Sequence, residues 1–240
     1  MDLPVLFVDA EVMAMRERGL LATRAQSSIF FMLRRREAWQ LSHGGPKIWI
    51  PAASGSVITT SVVRVPEHLG ARLREAVLPA GDGDGRHYVY PVGDLHVTLA
   101  NLDGYRDVPV EQIEEALTDC LSRVGPITLG LRGLAISRGT VFAPVYVSPV
   151  STLFRLRAAI HRSLAPASRG ILKSPVDVIG FCNALRFRHH DISVVSALVS
   201  HYRDIEFGRF LIEEVEIVRT DKILSAANTF VLAKCARRSP

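Results

Sequence analysis

Residues 57–124 and 140–202 pass through the same order of patterns, and this repeat limits the possible folds more than any other feature of the sequence. In the first unit a β-branched run over residues 57–65 predicts a strand, and Pro66 opens an amphipathic helix carrying Leu69, Leu73, Val77 and Leu78. A glycine-rich connector at 81–85 precedes a second strand over 88–102, broken near Gly93, and a helix over 110–124. The second unit starts with a strand over 140–147 and passes Pro149 into a helix that Ser151 can cap, carrying Leu153, Leu156, Ile160 and Leu164. A strand over 176–188 and a helix over 191–202 complete it. A strand over 127–137 forms a hairpin with 140–147 across Arg138-Gly139, and strand-like runs at 210–219 and 229–235 close the chain. Short strands interleaved with helices predict an α+β fold of two lobes, with two mostly antiparallel sheets facing a central cleft and helices on the outside.

The repeat leaves residues 1–52 as an N-terminal extension to a bilobal domain at 53–240. Within the extension, 10–18 has the pattern of a short helix interrupted at Gly19, and 29–41 is either a helix or one arm of a hairpin with 47–50. Residues 51–55, Pro-Ala-Ala-Ser-Gly, have a loop composition and mark the boundary. A chain of 240 residues, 48% apolar and 22% charged, has ample material for a packed core and is unlike a disordered one. No run approaches the roughly 18 apolar residues of a membrane span, and Met1-Asp2-Leu3-Pro4 lacks a basic leader, so a cytoplasmic location is expected. Cys120, Cys182 and Cys235 are too scattered for a disulfide framework or a zinc knuckle. The net charge of +5 permits attraction to phosphate-bearing partners without requiring it.

His96-Val97-Thr98 is the most informative tripeptide. Alternate residues of a strand share a face, so His96 and Thr98 project together while Leu95, Val97 and Leu99 pack inward. A histidine so placed can move a proton near neutral pH, and the neighbouring hydroxyl can donate to a phosphate oxygen. The Asp-Gly repeat at 81–85 lacks the further ligands of a calcium loop, the remaining histidines have no metal-ligand spacing, and Arg34-Arg35-Arg36 has the pattern of a solvated face. Tyr88 and Tyr90 share strand parity and could line a groove. Nucleotide-loop, dinucleotide, zinc-protease and serine-hydrolase motifs are all absent, so neither a cofactor nor a metal is expected.

The segment Asp94-Leu95-His96-Val97-Thr98-Leu99-Ala100, set in a duplicated strand-helix-strand unit with a hairpin between the halves, resembles the 2H phosphoesterase superfamily. That superfamily includes 2'-5' RNA ligase and cyclic phosphodiesterase proteins. The resemblance implies two H-x-T/S strands facing each other across a groove and metal-independent hydrolysis of 2',3'-cyclic or 2'-5' phosphodiesters. One histidine would be the base, the other the acid, and the hydroxyl residues would hold nonbridging oxygens. His96 would then be one of the pair and Thr98 its phosphate-holding neighbour.

The second motif departs from that pattern. Aligning the repeats on Gly93 and Gly180 sets Asn183 against His96 and Leu185 against Thr98, while a shift of two sets Phe181 and Asn183 there. In both registers Asn183 enters the cleft, where it can bind phosphate or base but cannot shuttle a proton. His189 shares its parity and is the candidate substitute acid; with Arg186, Arg188 and His190 it could instead form a basic rim. Arg186 has the opposite parity and reaches the cleft only if the strand twists or bulges. The expected activity is hydrolysis of a nucleotide or RNA-terminal phosphodiester, and the alternative is a module that binds such an end without cleaving it. The extension is the candidate surface for a protein partner or a cover over the cleft.

Overall fold

The computed structural model describes residues 5–49, 57–81, 86–164, 179–221 and 223–237, with backbone alone over 5–23 and at 226. The connector at 82–85, the boundary at 51–55 and the first residues of the strand expected from 176 lie outside them. The first repeat forms β1 (Ile58–Arg64), α2 (Glu67–Val77), β2 (His87–Val89), β3 (His96–Asn101) and α3 (Val110–Val124), following a helix α1 (Val5–Gly44). After β4 (Thr128–Arg132) and β5 (Ala135–Ile136), the second repeat forms β6 (Thr140–Ser148), α4 (Thr152–Leu164), β7 (Gly180–Phe187) and α5 (Ser193–His201). The strands β8 (Glu206–Leu211), β9 (Glu214–Thr220) and β10 (Phe230–Ala236) follow.

The α+β class and the two-halved plan stand, with one refinement: both half-sheets belong to a single hydrogen-bonded network. Its order is β10-β9-β1-β3-β7-β6-β4-β8, with β2 added to β7 and β5 to β6. Every pairing is antiparallel. The order is symmetric about the β3–β7 junction, so β1 corresponds to β6, β9 to β4 and β10 to β8. The halves meet at one register pair, Val97 with Cys182. Gly180 permits this approach, since a Cβ there would stand 3.1 Å from the Val145 side chain and 3.3 Å from that of Val97.

The helices interlock the halves. Although α2 follows β1, it packs on β7 and β8 beside α5, and α4, which follows β6, packs on β3 beside α3. One apolar cluster therefore runs beneath the whole sheet, taking Leu69 and Leu73 from α2, Leu153 and Leu156 from α4, and Val97, Val145 and Cys182 from the strands. Each fully buried leucine contributes roughly 1.5–3 kcal/mol of transfer free energy. The three cysteines are free and buried.

The strand expected over 210–219 is two strands. Glu213 and Glu214, both exposed, break the alternation, and the chain crosses from β8, paired with β4, to β9, paired with β1. The strand over 127–137 is likewise interrupted, at Gly133.

The helix alternative is the one realised in the extension, and α1 runs unbroken through Gly19. It ends where Gly45, at φ +62°, returns its N–H to the Leu41 carbonyl at 2.9 Å, and Pro46 cannot continue it. Past the start of β7, the free edge of β6 is capped by Gln26, whose side chain accepts from Val147 N–H at 2.8 Å and donates to its carbonyl at 3.0 Å. Phe30 packs on Tyr146 at 5.1 Å between ring centroids. Tyr146 shares strand parity with Phe142 and Thr140 on the sheet face away from the helices, so the extension lies over the cleft side of the second half. Among the described residues no helix is long and apolar enough to cross a membrane.

Candidate active site

His96 opens β3 opposite Arg64 of β1, whose side chain points to the same face. Only 3% of the residue is exposed. Its Nδ1 donates to the Asp94 carbonyl at 2.7 Å, which fixes the tautomer and leaves Nε2 as the acceptor. Burial pushes the imidazole down to about 4 against the help of that hydrogen bond, and the Arg64 and Arg186 guanidinium groups lower it further. His96 is therefore neutral at physiological pH, the state a general base needs. Nε2 has no hydrogen-bond partner among the described residues, yet it is not one of the polar atoms sealed from solvent.

The Val97–Cys182 pair chooses between the two registers of the second motif. A two-fold axis through an antiparallel pair superposes its two residues, so His96-Val97-Thr98 falls on Phe181-Cys182-Asn183. Phe181 thus occupies the place of a second histidine and Asn183 that of the second hydroxyl residue, while Leu185 is wholly buried. His96, Thr98, Phe181 and Asn183 all lie on the face opposite the core. Asn183 Oδ1 lies 3.3 Å from the Thr140 hydroxyl. Its amide nitrogen and the Thr98 hydroxyl have no partners among the described residues. Burial pushes the Cys182 thiol up to about 12, which excludes it as a nucleophile at neutral pH.

Arg186 reaches this face after all. The β6–β7 ladder pairs Phe142 with Asn183 but Val141 with Leu185, so Ala184 is an extra residue in a β-bulge. The bulge reverses parity beyond it and turns Arg186 to the side of Asn183. Arg186 Nε donates to the Tyr90 hydroxyl at 3.1 Å, and no carboxylate pairs with it among the described residues. Arg64, by contrast, is neutralised by Glu216 at 2.8 Å. Arg186 is thus the cation beside His96 with charge to spare for an anion. A bulge has no dependable signature in a single sequence, so parity counting alone missed it.

His189 makes no contact with His96 among the described residues. The chain bends after Phe187, and His189 Nδ1 instead accepts the Asp191 N–H at 3.0 Å in a group with His87, whose imidazole it helps to lower after burial has done so first. His87 pairs with Phe187 on the buried side of the sheet. Arg34 is not fully solvated either, since burial lowers it and Nη2 reaches the Arg203 carbonyl at 3.4 Å. Tyr88 is partly exposed on this face with its ring 5.1 Å from that of Tyr90, which is 6.3 Å from the His96 ring but fully buried as part of the core. Among the described residues no three or more His, Cys, Asp or Glu side chains gather as a metal site.

Residues 65–177 match the family described as the 2'-5' RNA ligase superfamily, a stretch that includes His96 and Thr98 and ends before β7. No curated protein matches the chain. Among solved structures, TT0787 of Thermus thermophilus is 19% identical with a TM-score of 0.52, covering 76% of this chain and 98% of its own. A protein described as a phosphoesterase is 16% identical with a TM-score of 0.48, and Escherichia coli LigT, complexed with ATP, is 15% identical with a TM-score of 0.45, both at the same coverage. TT0787 shares the fold over 76% of this chain, more than the stretch matched by the family. Over residues 65–177 the chain is thus similar to the 2'-5' RNA ligase superfamily, in line with the resemblance to the 2H phosphoesterases carried by its sequence.

Proposed function

We propose that the phosphoesterase-like function of this superfamily is directed here at a nucleotide or RNA-terminal phosphodiester, a 2',3'-cyclic or 2'-5' bond, cleaved without a metal by the body at 53–240. The observation that carries this reading is the convergence, on one sheet face, of a neutral imidazole with an open Nε2, a guanidinium with no carboxylate partner among the described residues and two unpartnered donors. His96 Nε2 takes the proton of the attacking water as its oxygen bonds to phosphorus. Arg186 neutralises the nonbridging oxygens, whose charge grows in the transition state, and Thr98 and Asn183 donate to them. The P–O bond to the ribose oxygen breaks, and solvent water supplies that oxygen's proton, because Phe181 stands where a second imidazole would act. Loss of one acid or base typically removes about 10²- to 10⁴-fold of rate, so turnover is expected to be slow.

The test is incubation with 2',3'-cyclic nucleotides and a 2'-5'-linked dinucleotide in the presence of a chelator. Turnover is expected to fall about 10²- to 10⁴-fold in His96→Ala. In Arg186→Gln, kcat/KM is expected to fall about 10- to 100-fold, the range of one charge-assisted contact. Saturable binding with no product would assign the cleft to holding nucleotide ends alone. Turnover indifferent to His96→Ala would end the proposal.

A further inference from the structure

Beyond the polar group around His96, the same face continues as a row of rings into the N-terminal segment. Tyr88 lies 5.1 Å from Tyr90 on one side and 5.1 Å from Trp49 on the other. Trp49 lies outside the family stretch at 65–177 and reaches this place because its N–H donates to the Phe187 carbonyl at 2.6 Å, continuing the sheet where β7 ends. Arg188, the second residue after Arg186, sets its guanidinium 4.8 Å from the Trp49 ring centroid and 5.2 Å from that of Tyr88. Trp49 and Tyr88 are both partly exposed and Arg188 is exposed. Burial holds the Tyr88 phenol at about 12, so its ring is neutral throughout the physiological range.

We propose that Trp49, Tyr88 and Arg188 form a nucleobase subsite that the N-terminal extension adds to the phosphate cleft. The ligand class follows from the groups. A nucleobase is planar and stacks on indole and phenol rings, and its carbonyl and ring-nitrogen edge accepts hydrogen bonds from a guanidinium. A simple anion would use Arg188 and leave the rings idle; an aliphatic ligand would use the rings and leave the charge unmet. The subsite lies one ring beyond Tyr90, the phenol that Arg186 contacts, so a phosphate at Arg186 and a base at Tyr88 belong to one nucleotide unit. The proposal rests on the phosphodiester reading for its phosphate and adds what recognises the neighbouring base.

The chain has two tryptophans, so Trp39→Phe leaves Trp49 as the sole indole reporter. Adenosine 2'-monophosphate is expected to quench its emission saturably, and ribose 5-phosphate, which lacks the base, is not. Trp49→Ala is expected to weaken the adenosine nucleotide by about 5- to 100-fold, the range of one stacked base, with ribose phosphate affinity unchanged and Trp49→Phe restoring most of the loss. Equal weakening of both ligands, or no quenching at saturation, would overturn the subsite. If a 2'-5' dinucleotide is still turned over through His96 while Trp49→Ala leaves its KM unchanged, the subsite falls and the phosphodiester reading survives. If neither ligand binds and nothing is turned over, both fall together.

Discussion

A buried neutral imidazole makes acid costly at the scale of single residues. His96 titrates at about 4 in the folded protein, against 6.5 for an ordinary histidine. Between those values the unfolded chain binds a proton that the native state refuses, so stability rises with pH across that window. The contribution is complete above about 6.5 and lost as pH falls through 4, with a total of roughly 3 kcal/mol. Denaturant midpoints of the wild type and His96→Gln, measured from pH 7 to pH 4, are expected to converge at the acid end and to differ in slope between. Parallel curves would show that His96 binds its proton equally in the folded and unfolded chains. His96 and Thr98 were legible because alternation within an apolar strand exposes polar residues. The state of His96 was not, because it depends on Arg64, Arg186 and the Asp94 carbonyl, brought together only by folding.

Elements place these residues more tightly than their own hydrogen bonds do. Arg157 of α4 is buried and donates Nε to the Leu99 carbonyl at 2.6 Å, Nη1 to Ile179 at 2.8 Å and Nη2 to Thr98 at 2.9 Å. One guanidinium thus ties β3, which carries His96, to the residue entering β7. Arg157→Met is expected to cost more than about 3 kcal/mol, because it strands several buried carbonyls. Arg157→Lys should recover only part, since a single ammonium cannot span three acceptors. Urea titration checks both, and a loss within about 1 kcal/mol would mean that water replaces the guanidinium. Helix and strand periods located most elements, including α2, α3 and β6. The division of 210–219 into β8 and β9 and the bulge at Ala184 escaped periodicity, because each is decided by the partner strand.

In the molecule as a whole, each repeat lends a helix to the other half. One core beneath both half-sheets means that neither half keeps its packing if the other unfolds. Scanning calorimetry is therefore expected to give a single transition for the sheet-and-helix body, with calorimetric and van't Hoff enthalpies in agreement. Two resolved transitions would mean that the single junction at Val97–Cys182 acts as a hinge between independent units. The amino-acid order alone determined the duplication, the α+β class and the polar pair on β3, since these follow from local periodicity and from side chains meeting water or core. Tertiary structure alone decided that Phe181 is the register counterpart of His96, that Arg186 turns to the face of Asn183 while His189 lies past a bend, and that Trp49 packs beside Tyr88. Those outcomes depend on register, a bulge and a bend, which are properties of paired strands and not of any one segment.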